Sequence, residues 1–144
     1  MEKKIITIAS DHAGYELKNS LKKEIADIGF KILDCGTKSD ESVDYPDFAK
    51  LAVENILKKK SDLAILICGS GIGMSMTANR FKGIRAALCH NTNEVKMARQ
   101  HNNANVLVLA GRQIDVDEAK NCFKIFVNTS FEGGRHKKRI DKID

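Results

Sequence analysis

Five short apolar runs, at residues 5–9, 31–35, 63–68, 85–88 and 106–110, constrain the fold of this chain more than any other feature. Each is rich in Ile, Val and Leu and nearly continuous rather than alternating. That pattern belongs to strands covered on both faces, as in a parallel sheet. Parallel neighbours need a crossover between them, and the intervening stretches supply it as amphipathic helices. Leu17, Leu21, Ile25 and Ile28 share one helical stripe, which Gly29 ends. Pro46, the only proline, opens a helix whose buried side carries Phe48, Leu51, Ala52 and Ile56. Asn91 with Glu94, and Asp115 with Glu118, have capping-box spacing. After the second box, Ala119, Cys122, Phe123 and Phe126 form an apolar face, and Met74, Met76 and Met97 read as core. The expectation is a single Rossmann-like, three-layer α/β domain over residues 1–144, with a five-stranded parallel sheet flanked by helices. Residues 133–144 follow a glycine break as a basic tail or a short helix.

Composition narrows the function. The 144 residues, 42% hydrophobic and 30% charged, suit one soluble core. No apolar run approaches the roughly 20 residues that span a bilayer, which excludes a membrane partner. The N-terminus is basic and then apolar, but its apolar part is short for a signal peptide and runs into Asp11-His12. It reads as a first strand, and the expected location is the cytoplasm. The net charge of +5 admits a nucleic acid or a small anion. Aromatic residues are only 6% and none alternate with a basic patch, so no nucleic-acid platform is expected. Cys35, Cys68, Cys89 and Cys122 form no CxxC pair, which argues against zinc and against disulfides. Cys35, Cys89 and Cys122 read as small buried hydrophobes.

In a doubly wound sheet the ligand lies beyond the carboxyl ends of the strands. There stand Ser10-Asp11-His12-Ala13-Gly14, then Cys68-Gly69-Ser70-Gly71-Ile72-Gly73, then Gly111-Arg112. Alternating glycines between a strand and a helix turn backbone N–H groups toward an anion. A dinucleotide fingerprint begun at Gly69 needs a small residue where Met74 stands; begun at Gly71, it meets Met76. No lysine follows as in a P-loop, so a different anion is expected. Cys68, at the mouth of this loop, has a setting that favours thiolate and is a candidate base or nucleophile. Asp11 suits a helix cap as well as a functional role. His101-Asn102-Asn103 suits a helix end, and Asn93, Asn103 and Asn105 read as surface or cap residues. Arg135 and Arg139, four apart, suit a phosphate clamp or a solvated tail. Tyr45 suits packing.

Together these segments resemble the ribose-5-phosphate isomerase B family, which includes the galactose-6-phosphate isomerase subunits. The match also covers residues 42–49, Asn79-Arg80, 83–87, 98–102 and 110–112, nearly the whole chain. The resemblance implies an aldose–ketose isomerase acting on ribose 5-phosphate, in the non-oxidative branch of the pentose phosphate pathway. It implies Cys68 as the base between C1 and C2, Asp11 and His101 as ring-opening groups, and Ser70 with the N–H groups of Gly69, Gly71 and Gly73 around the enediolate oxygen. Asn102 binds sugar hydroxyls, Tyr45 lines the pocket, and His12, Arg112, Arg135 and Arg139 hold phosphate. One branch of the family replaces the cysteine by Gly and uses Glu where Met74 stands; this chain matches the cysteine branch. The resemblance further implies no metal or organic cofactor, and a homodimer or tetramer with shared sites. His101, Asn102 and Arg112 are expected from the partner of the chain supplying Cys68. A hexose-6-phosphate isomerase (galactose or allose 6-phosphate) and a silent phosphosugar-binding module are the alternatives. One chain holding the whole residue set favours a self-sufficient enzyme over both.

Overall fold

The computed structural model describes residues 4–144; the first three residues of the basic N-terminal stretch lie outside it. Strand β1 (Ile5–Ser10) leads through a 3-10 turn (His12–Gly14) into helix α1 (Tyr15–Ile28). Then come β2 (Lys31–Asp34), α2 (Tyr45–Leu57), β3 (Leu63–Cys68) and α3 (Ile72–Ala78). The chain continues as β4 (Ala86–Leu88), α4 (Thr92–Asn102), β5 (Val106–Ala110), α5 (Val116–Asn128) and α6 (Arg135–Ile140). All five strands are parallel, in the order β2-β1-β3-β5-β4. The expected α/β architecture is present, and the basic segment after the glycines forms the short helix α6.

Successive side chains of the central strands feed two cores. Ile65, Ile67, Leu107 and Leu109 pack with Leu17, Leu21 and Ile25 of α1 and Phe123 and Phe126 of α5. Ala64, Leu66, Cys68, Val106 and Val108 face Ala49, Ala52 and Val53 of α2 and Met74 and Ala78 of α3. Burial on both faces explains the unbroken apolar runs, and each large buried side chain contributes roughly 2 kcal/mol of transfer free energy.

Several expectations need correction at helix surfaces. The buried face of α2 is Ala49, Ala52 and Val53, so Leu51 falls to its side and is 46% exposed. Met74 is buried as read, but Met76 is 68% exposed and Met97 is exposed too. Ile28, in the last turn of α1, is exposed, while Gly29 ends that helix at φ 112 as its type suggests. Asn91 caps α4 through the Glu94 N–H at 2.9 Å, and the Glu94 carboxylate accepts from the His90 N–H. Asp115 makes no cap bond; Glu118 instead accepts from the Thr92 N–H at 3.3 Å. Asn105 is more than a cap, since it accepts from the Arg85 N–H and donates to Gly83 O ahead of β4.

β2 and β3 lie on opposite sides of β1, so chain direction reverses there and a crevice opens at the strand ends. Ser10 is level with Ile67, and Cys68 with Ala110. The register therefore delivers all three polar loops to one edge.

Candidate active site

Backbone bonds tie these loops together. The Asp11 N–H donates to Ile67 O at 3.2 Å, the Gly111 N–H to Cys68 O at 2.8 Å, and the Arg112 N–H to Gly69 O at 3.1 Å. Cys68 ends β3 with 5% of its surface exposed, between the α2–α3 core and the loop. Gly71 sits at φ 78 with Leu88 Cδ1 only 2.4 Å from where a Cβ would stand, so any other residue would be strained and would displace Leu88. At Gly73 the Tyr45 ring occupies that place, 2.3 Å away, which packs the phenol against the first turn of α3. Ser70 Oγ accepts from the Ile72 N–H at 3.2 Å, and its own hydroxyl proton remains available as a donor. Arg112 Nη1 lies 3.3 Å from the Cβ position of Gly69 in its own chain. The expectation that a partner supplies Arg112 is corrected accordingly: the guanidinium flanks its own glycine loop.

Asp11 does cap the 3-10 turn: its Oδ1 accepts from the Ala13 and Gly14 N–H groups at 3.0 and 3.1 Å. Its Oδ2 has no hydrogen-bond partner among the described residues. His12 Nδ1 accepts from the Val43 N–H at 3.2 Å, so a neutral ring carries its proton on Nε2. His12 lines a cavity of about 250 Å³ with Ala13, Glu16 and Gly111. The segment that presents Val43 and Tyr45 is anchored by Lys18, which sequence reasoning missed. This lysine is only 1% exposed and donates to Asp34 at 2.8 Å and to Thr37 O at 2.7 Å. Beside it, Ser10 and the Gly36-Thr37 backbone exchange two 2.8 Å bonds. Burial pushes the Asp34 carboxyl up, but hydrogen bonds from Lys18, Lys22 and the Gly36 N–H outweigh it and hold its pKa below the usual value.

Asp34→Asn strands the Lys18 charge in the core and is expected to cost about 3 kcal/mol, read by chemical denaturation. Lys18→Met is expected to cost less, because Asp34 keeps Lys22. The depressed folded pKa makes the wild-type contribution complete above the ordinary aspartate value of 3.8 and progressively lost as pH falls below it. Asp34→Asn should flatten that acid limb.

The remaining candidates stand elsewhere. His101 and Asn102 end α4, ahead of β5, whereas Cys68 is level with the last residue of β5. Between Val106 and Ala110 the strand advances about 13 Å, so the two groups occupy opposite edges of the sheet. His101, Asn102 and Arg139 line a separate cavity of about 430 Å³ with His136 and Ile140, and Arg135 opens the same helix α6. The structure thus unites Asp11, His12, Tyr45, Cys68, the glycines, Ser70 and Arg112, and gathers His101, Asn102, Arg135 and Arg139 at the far edge.

A family profile described as Ribose/Galactose Isomerase matches residues 6–143. The chain belongs to that family. Within the ribose/galactose isomerase family it is 36% identical to ribose-5-phosphate isomerase B of Escherichia coli K12, over 97% of this chain and 94% of that one. The crystal structure of a ribose 5-phosphate isomerase from Thermotoga maritima is 51% identical with a TM-score of 0.97, covering 99% of both chains. That of ribose-5-phosphate isomerase B from Mycoplasma genitalium, with bound ribulose-5-phosphate, is 43% identical with a TM-score of 0.94, over 99% of this chain and 95% of that one. The family resemblance read from the motifs is borne out.

Two further far-edge residues escaped the sequence reading. Glu132 and His136 approach His101, with the His101 and His136 rings stacked at 4.5 Å. Their spacing of four was the available signal, hidden because a glycine pair separates them.

Proposed function

We propose that this chain interconverts D-ribose 5-phosphate and D-ribulose 5-phosphate through an enediolate, within the non-oxidative branch of the pentose phosphate pathway. The observation that carries the reading is the convergence of three strand-end loops on Cys68, in a fold shared with a relative that holds ribulose-5-phosphate. Ring-opened ribose 5-phosphate has an aldehyde at C1 and a proton on C2. The Cys68 thiolate takes that proton, the electron pair passes to O1, and the enediolate forms. The thiol then returns the proton to C1 while the O2 proton moves to O1, leaving the ketose. The Ser70 hydroxyl and the N–H groups of Gly69, Gly71 and Gly73 stabilise the charge on oxygen. Asp11 and His101 both carry atoms able to move the ring-opening proton. Tyr45 walls the pocket and Asn102 takes sugar hydroxyls. His12, through Nε2–H, and Arg112, Arg135 and Arg139 anchor the phosphate, so that remote binding orients the reacting carbons. Each step moves a proton between atoms that side chains reach, and the reading calls for no cofactor.

A complete site takes two chains, as a homodimer or a tetramer, because His101, Asn102, Arg135 and Arg139 lie at the wrong edge to meet their own Cys68. Ile72 and Met76 beside the Cys68 loop, and Leu51 and Leu57 further along α2, expose apolar surface, and a second copy is the natural cover. A cytoplasmic enzyme of sugar phosphates fits this reading; among the described residues no helix is long and apolar enough to cross a membrane.

The purified protein is expected to form ketose from ribose 5-phosphate. Turnover of allose or galactose 6-phosphate with none of the pentose would overturn the substrate assignment. Arg135→Ala and Arg139→Ala should each raise KM about tenfold or more with little change in kcat, as loss of a charged phosphate contact predicts. Unchanged kinetics would make them tail charges.

A further inference from the structure

We propose that His101, Glu132 and His136 form a binding site for a divalent transition-metal ion of the zinc class, and that an ion held there inhibits the enzyme by occupying His101. The inhibitory half rests on the role assigned to His101 above; the binding half does not. His101 comes from the last turn of α4, His136 from α6, and Glu132 from the segment between α5 and α6. The Glu132 N–H donates to Gln100 O at 3.0 Å, which pins that segment to the end of α4. The two imidazoles stack at 4.5 Å with planes only 16° apart. Their Nε2 atoms stand 3.7 and 3.6 Å from the same Glu132 Oε1, and one ligand atom from each residue lies within 4.8 Å of the others.

Both nitrogen–oxygen distances exceed a hydrogen bond, so the three groups converge on a shared space rather than on one another. Zinc bonded tetrahedrally at about 2.0–2.1 Å places neighbouring donor atoms about 3.3–3.4 Å apart, a few tenths of an ångström closer than each nitrogen stands to Glu132 Oε1, and the stacked rings must tilt apart to aim both Nε2 lone pairs at one ion. Two imidazoles and one carboxylate leave a fourth position open to water. Arg135 and Arg139 flank His136 on α6. The same arginines oppose a hard cation held by charge alone. The fitting ion is one that bonds strongly to imidazole, such as zinc, cobalt or nickel, rather than magnesium or calcium.

The test uses chelator-stripped full-length protein, titrated with Co²⁺ followed by visible absorption and with Zn²⁺ followed by calorimetry. Wild type should bind one ion per chain without a thiolate-to-cobalt band. His136→Ala and Glu132→Gln should each weaken binding at least about tenfold. Neither residue takes a step in the reaction proposed above, so their metal-free rates should stay near wild type. Zn²⁺ should inhibit wild type, a chelator should reverse it, and both variants should need at least about tenfold more zinc for the same inhibition. Failure of both ions to bind, a thiolate band, or equal zinc sensitivity in the variants overturns the site. Binding at these residues without inhibition overturns the inhibitory role, while the pentose assay judges the isomerase reading separately.

Discussion

Cys68→Ser is expected to lower isomerisation by about 10³-fold or more while ribose 5-phosphate still binds. The exchange replaces sulfur by oxygen with little change of shape, and the loop that receives the substrate stays intact. What it removes is acidity, since a thiol ionises far more readily than a serine hydroxyl. The other buried cysteines supply the control. Burial pushes Cys89 up to about 12 and Cys122 up to about 11, so both remain neutral thiols inside the core. Serine at either should leave kcat alone and lower only Tm. Steady-state kinetics, a binding titration with ribose 5-phosphate and a melting curve on all three variants separate the outcomes. A Cys68→Ser enzyme within tenfold of wild-type kcat refutes the base. Lost binding with an unchanged Tm assigns Cys68 to positioning instead.

The sheet was legible in sequence because burial on both faces leaves one unambiguous mark. The strands at 63–68 and 106–110 could be read to the residue. Helix faces were less legible, since Leu51 and Met76 are apolar residues on outer faces and their side chains do not announce what covers them. Polar residues at strand ends could be assigned to one crevice because topology alone sends them there. Lys18 could not be found the same way. A lysine beside Leu17 and Leu21 reads as solvated, and its burial depends on Asp34 at the end of β2 and Thr37 O in the segment after it. The His101–Glu132–His136 group was hidden for a related reason, since it joins α4 to a segment placed only by tertiary contacts. The family resemblance already implied that His101 and Cys68 of one site come from different chains, and the fold gives the physical reason, holding them at opposite ends of β5.

That separation yields the second large effect. His101→Asn and Cys68→Ser should each be nearly inactive alone, yet a mixture of the two, dissociated and reassembled, should regain activity. In a mixed dimer one site combines Cys68 from the first variant with His101 from the second and is wild type in both. The other site carries both lesions. Random pairing makes half the dimers mixed, with one intact site in each, so about a quarter of wild-type activity should return. Its KM should equal that of wild type, because the restored sites lack nothing. A site built within one chain gives no such recovery, since every chain in the mixture already lacks one of the two groups. Absence of recovery after verified subunit exchange would therefore reject the shared site. It would also require a rearrangement that carries His101 across the roughly 13 Å of β5 to reach its own Cys68.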